Sequence, residues 1–171
     1  MFSTLSAYAA TVDVNFDNLM GDNLPVPDGY GDITWYGAWT HYGFDQPPYN
    51  AHTPPQRVYT GLADSKFTFD NAPVAFDGAW FAGPITTTVE FQGYLNNALV
   101  FTSAVLTTSD VPTFLSSGYN GAVDRVDVVS NAPDFYIMDD VTYETGIPEP
   151  GSLILMGTGL AGLAGYIRRK L

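Results

Sequence analysis

Asp17 and the adjacent pair Asp139-Asp140 are the acidic residues best placed, by type and position, to share a cation. Calcium is a hard cation that takes carboxylate and backbone carbonyl oxygens. If the first and last strands lie side by side, Asp17 approaches Asp139 or Asp140, and two carboxylates plus carbonyls make a structural Ca2+ site. Strict strand alternation puts Asp139 on one face with Ile137, Val141 and Tyr143. Asp140 then shares the other face with Tyr136, Met138 and Thr142, so only one of the pair points into a buried site. The competing reading is that these aspartates cap turns or face solvent.

Aromatic residues supply the second constellation. Trp39, Tyr42 and Tyr49 lie in the irregular stretch 37–56, with His41, Phe44, His52 and four prolines. Flat rings with Asp, Asn and Gln nearby offer apolar contact and hydrogen bonds to sugar rings. Burial beneath a folded-back loop is the alternative for the same residues. Trp35 and Trp80 fall in strand-like runs and read as core. A stretch of this length is functional or disordered, and its aromatic content argues against disorder.

Catalytic chemistry finds less support. His41 and His52 have no serine in a nucleophile-elbow context. A glycosidase needs two carboxylates across a cleft, but fifteen aspartates and three glutamates make such pairs inevitable. No phosphate-cradling glycine-rich loop opens a helix. The sequence has no cysteine, which excludes thiol catalysis, zinc–thiolate sites and iron–sulfur clusters. The expectation is a protein that is not an enzyme.

The elements that must position these residues are short strands. Alternating runs occur at Thr11–Phe16, Ile33–Tyr36, Arg57–Thr60, Lys66–Phe69, Val74–Phe81, Thr86–Tyr94, Ala98–Leu106, Val123–Ser130 and Phe135–Tyr143. Between two of them, Gln92-Gly93-Tyr94-Leu95-Asn96-Asn97 reads as a hairpin, because Asn tolerates left-handed geometry. No repeat and no sustained helical period interrupts the series. The expected fold is all-β: an antiparallel β-sandwich, a jelly roll of the galactose-binding or carbohydrate-binding-module type. With 171 residues, 46% hydrophobic and only 14% charged, the chain suits one packed domain plus appendages.

Charge is uneven. The net charge is −12, and three of the six basic residues are Arg168, Arg169 and Lys170. The remaining body is strongly acidic and would repel a phosphate backbone, so no nucleic-acid partner is expected. Ahead of the basic triplet runs an uncharged apolar stretch from Leu153 to Ile167, preceded by Ile147-Pro148-Glu149-Pro150. As a helix, residues 151–167 would span about 25 Å, a little less than a hydrocarbon core of roughly 30 Å. Glycines at 157, 159, 162 and 165 keep one side small for close helix contact. Basic residues after the span place the C-terminus in the cytoplasm and the body outside.

Pro-Glu-Pro, short apolar helix and arginine-rich end, in that order, resemble the PEP-CTERM sorting signal recognised by exosortases, with Ile147 where Val is usual. The resemblance implies cleavage near Pro148-Glu149-Pro150 and delivery of the body to the cell surface or extracellular matrix. Membrane contact through the C-terminal transmembrane helix would precede processing. An ordinary single-pass anchor is the alternative. A sorted body also needs an export signal. Ser6-Ala7-Tyr8-Ala9-Ala10 offers a small-residue cleavage site, and residues 1–10 read as the remnant of a signal peptide. The body is then residues 11–146 and the sorting segment 147–171.

The body's ends carry a second likeness. Phe16-Asp17-Asn18-Leu19, Pro27-Asp28-Gly29-Tyr30-Gly31-Asp32-Ile33-Thr34-Trp35, Asp124-Arg125-Val126-Asp127-Val128 and Phe135-Tyr136-Ile137-Met138-Asp139-Asp140-Val141 resemble sandwich bodies found ahead of PEP-CTERM tails. They also resemble surface domains opening with a "GYGG…W" segment, although Asp32 replaces the second glycine. The expectation is a non-enzymatic surface or matrix protein associated with exopolysaccharide in biofilm. The alternative is a carbohydrate-binding module built on the loop aromatics, with a sandwich hydrolase behind both.

Overall fold

The computed structural model describes residues 10–62 and 64–146. The Pro-Glu-Pro segment, the apolar run expected to be a helix and residues 1–9 of the N-terminal segment lie outside the described residues. Within them the chain is an antiparallel β-sandwich of two sheets. Sheet A runs β11(Thr113–Ser116), β7(Val74–Ala82), β14(Ile137–Thr145), β5(Arg57–Tyr59), β4(Thr40–Tyr42), β2(Leu24–Pro25). Two further strands join it: β1(Ala10–Val14) on β14, and β12(Ala122–Val123) on β7. Sheet B runs β10(Leu106–Thr107), β8(Thr88–Leu95), β13(Arg125–Ser130), β6(Asp64–Phe69), β3(Ile33–Thr34), with β9(Ala98–Thr102) on β8.

Most expected strands are present at nearly the expected bounds. The hairpin between β8 and β9 turns on Asn96 and Asn97, both left-handed (φ 51° and 64°), the geometry a two-residue turn needs to match strand twist. Three short strands have no alternating run to announce them: β2, β4 and β11. Of these, β4 lies inside the stretch 37–56, so that stretch starts as sheet rather than loop. As expected of the terminal strands, β1 pairs with β14 from Ala10↔Thr145 to Val14↔Val141.

Aromatic rings fill the space between the sheets. Trp35 meets Trp39 edge-on at 6.0 Å, Trp39 meets Phe67 at 6.3 Å, and Phe67 continues through Phe76 to Phe91. Each indole N–H finds a carbonyl, Trp35 Nε1 that of Tyr30 at 3.0 Å and Trp39 Nε1 that of Lys66 at 3.3 Å. Edge-to-face packing with the polar tip satisfied is the favourable way to bury such large side chains. Trp39 therefore corrects the loop-platform expectation. It is fully buried in the core and cannot offer a face to a ligand.

Two register shifts break the alternation of sheet A. In β7, Val74 and Phe76 point into the core, but beyond Gly78 it is Ala79 and Phe81 that do so. In β14, Met138 points inward, yet so do Val141 and Tyr143. The pairing slips between Asp139 and Thr142 and again between Thr142 and Tyr143, with Thr142 opposite Gly78. Asp140 takes the extra position of the bulge with φ 45°, a left-handed conformation that Asp tolerates better than most residues. Asp139 and Asp140 are therefore both kept off the core face, which corrects the opposite-face assignment. Trp80 likewise points away from the core it was expected to join.

Gly78 has φ 151°, and a Cβ there would strike the carbonyl oxygen of Leu115 in β11. Gly78→Ala should lower stability by roughly 2 kcal/mol or more, because both the conformation and the close strand approach exclude a side chain. Urea unfolding of the variant checks this.

Candidate ligand-binding site

Past β4 the chain crosses the outer face of sheet A and is tied down at several points. The Asn50 side-chain amide donates to the carbonyl of Asp110 at 2.6 Å. The His52 ring stacks flat on Trp80, centroids 3.5 Å apart. The backbone N–H groups of His52 and Thr53 donate to Asp139 Oδ2 at 2.8 and 3.0 Å. Thr53 Oγ1 donates to Asp140 Oδ1 at 2.7 Å, and His52 Nδ1 pairs with Asp140 Oδ2. Residues 43–56 thus form a strap held to sheet A by the bulge of β14.

The three aspartates expected to share calcium are not assembled for it. Asp17 accepts the N–H of Gln56 at 3.1 Å. The carboxylate nearest the pair along β1 is instead Asp13, whose pKa is raised by burial and then by Asp140. Asp139 already accepts three backbone N–H groups, those of His52, Thr53 and Asp140. Donor hydrogens aimed at both carboxylates are the reverse of what a cation requires, so this donor set does not fit Ca2+. Among the described residues no group of three or more His, Asp or Glu side chains is arranged to hold a metal ion.

Between the strap and the sheet lies a cleft of about 260 Å³. Its walls are aromatic: Tyr42, Phe44, Tyr49, Tyr59 and Tyr136. Asn23, Gln46 and Asp134 supply polar atoms. Tyr42 anchors it, with Phe44 at 4.7 Å, Tyr59 edge-on at 5.5 Å and the Arg57 guanidinium 4.1 Å above its ring. Burial raises the pKa of Tyr42, although Arg57 opposes the shift, and burial followed by Asp134 raises that of Tyr49. Tyr136 is pushed up by the same two causes, and its buried hydroxyl has no hydrogen-bond partner among the described residues. All three phenols therefore stay protonated at neutral pH and remain able to donate.

Of the three aromatics expected from the sequence, Tyr42 and Tyr49 come together here and Trp39 does not. Tyr59, Phe44, Tyr136, Asn23, Gln46 and Asp134 were missed as partners. Tyr59 and Tyr136 lie in expected strands; Tyr59 is half-buried at the cleft, and Tyr136 is a core residue that borders it. Gly78 inside the β7 run was the available signal for Trp80, because a glycine within a strand marks a bulge.

The buried acid pair carries a pH signature. Burial, followed by repulsion from Asp140, raises the pKa of Asp139 to about 8, against the three N–H donors that lower it. In the unfolded chain the group ionises near pH 4. Between about pH 4 and 8 the folded state thus holds the extra proton, and stability falls as pH rises through that window. The melting temperature should increase on acidification from pH 8 to 5, and Asp139→Asn should flatten that rise in a thermal scan.

Comparison with known proteins places the chain as follows. A family 29 carbohydrate binding module complexed with cellulohexaose is 14% identical, with 82% of this chain and 94% of that one covered at a TM-score of 0.45. A DUF4465 family protein from Bacteroides ovatus is 9% identical, covering 80% of this chain and 99% of that one at a TM-score of 0.49. None of the curated proteins matches the chain. The family model of the PEP-CTERM protein-sorting motif matches residues 146–170, the segment that holds Pro148-Glu149-Pro150, the apolar run and the terminal basic residues, and on that match the chain is a PEP-CTERM domain-containing protein.

Proposed function

We propose that the chain is an exosortase substrate exported to the cell envelope, its surface or the extracellular matrix, where the sandwich body acts as a non-enzymatic, exopolysaccharide-associated module. The observation that carries this reading is the sorting motif at residues 146–170. Before processing, the apolar run would hold the chain in the inner membrane with Arg168, Arg169 and Lys170 on the cytoplasmic side, as the positive-inside rule requires. Removing residues 147–171 should leave the body folded, by circular dichroism, but misplaced in cell fractionation. Correct placement without that segment would remove the reading.

The cleft favours a second statement about the body, that it binds a saccharide. Stacked aromatic walls with amide and carboxylate groups at the edge suit a ring that is apolar on its faces and hydroxylated at its rim. Asp134 is the carboxylate in the wall, whereas glycoside hydrolysis requires a pair across the bond. We read the body as one that binds without cleaving. On a glycan array, Tyr49→Ala and Tyr59→Ala should each weaken binding about tenfold, on the order of one lost aromatic contact. Binding that is unchanged in both variants would exclude the cleft.

A further inference from the structure

Resting on the saccharide reading, we propose that the cavity beside the cleft is a subsite for the carboxylate of an acidic sugar, with Arg57 as its receptor. Arg57 is one of three basic residues in the body and is buried, only 3% exposed. Its Nη2 donates to the carbonyl of Phe44 at 2.6 Å and its Nη1 to that of Pro55 at 3.2 Å. Its Nε has no acceptor, and neither ion pair among the described residues includes it. A buried guanidinium is ordinarily paired with an anion, since carbonyl dipoles and a tyrosine ring compensate only part of the lost hydration. In a chain with eighteen acidic residues, the missing carboxylate is conspicuous.

Space for an anion is present. Arg57 forms part of a cavity of about 250 Å³ with Gly43, Asp45, Asn50, Pro54 and Pro55 among its walls. At about 30 Å³ per water this volume accommodates several waters, and so one monosaccharide ring. Phe44 and Gln46 line the aromatic cleft, while Gly43 and Asp45 line this cavity, so the two spaces share the strap as a common wall. An acidic unit in this cavity would lie across the strap from the cleft, against Arg57. The planar guanidinium matches a carboxylate better than a hydroxyl, and the Asn50 side chain stands in the same wall. Asp45 is exposed and opposes an anion, which sets an upper bound on affinity and provides a test.

The test is calorimetric titration of the full-length protein with oligomers of galacturonate, glucuronate and mannuronate, each beside its methyl ester. The ester keeps the ring and removes the charge. At least one acid should bind about tenfold more tightly than its ester, the difference expected of a charge-assisted hydrogen bond. Asp45→Asn, at an exposed position, should tighten the acid about threefold more than it changes the ester. Arg57→Lys, checked for folding by circular dichroism, should narrow the difference. If acids and esters bind alike, or Asp45→Asn moves both equally, the Arg57 subsite is wrong while saccharide binding in the cleft stands. If no sugar of either kind binds, on this panel or a neutral one, both fall.

Discussion

The paired register shifts of β7 and β14 are the constraint on which the outer face of sheet A depends. Gly78 and the Asp139–Thr142 segment lie opposite one another, and each inverts the in–out parity of its strand. Without the shift in β7, Trp80 would point to the core and Ala79 away from it. Without the shift in β14, Asp140 would lie on the core side with Met138. The two bulges must occur together, because a slip in one strand alone would set hydrophobic residues against the wrong face of its neighbour. They also coincide with the change of partner along the other edge of β14, from β5 at Met138 to β1 at Val141.

That geometry decides how the strap is held. A segment rich in proline has few N–H groups to give a sheet, so side-chain acceptors must satisfy those it retains. Asp139 does so for residues 52 and 53, and Asp17 does so for Gln56, while Asp140 takes the Thr53 hydroxyl. Burying two adjacent carboxylates is unfavourable in itself, and the raised pKa of Asp139 records that cost. Among the described residues the local structure offsets it with several donors on the pair rather than with a lysine or an arginine. His52, lying flat on Trp80, contributes both a ring contact and a polar one.

The same scarcity of cations explains how the basic residues of the body are used. Arg57 lies over Tyr42, Lys66 lies 5.1 Å from the ring of Tyr36, and Arg125 lies 3.8 Å from that of Tyr94. Arg125 also pairs with Asp127. Each cation therefore rests on a tyrosine face, an interaction that strengthens as water is removed. At Arg57, where burial is greatest, the ring contact belongs to the cleft itself. The sorting motif and the cleft are separate features of the chain, one a linear terminal segment and the other gathered from four parts of the sandwich.

Much of this protein was determined locally. Alternating apolar residues specify strands because side chains leave a strand on opposite faces, and Asn96-Asn97 specifies a turn because its residues accept left-handed angles. The PEP-CTERM segment is legible for the same reason: its order of proline, acid, apolar run and basic end is a property of contiguous sequence. What the tertiary structure decided is which side of each strand matters. Trp39 looked like a loop residue and became core once β4 joined sheet A. Asp139 and Asp140 looked separated until a bulge placed both off the core, under the strap. Tyr59 and Tyr136 came to border a cleft only when residues 43–56 folded across that face. Parity, partner and cover depend on contacts far apart in the chain, and no local pattern encodes them.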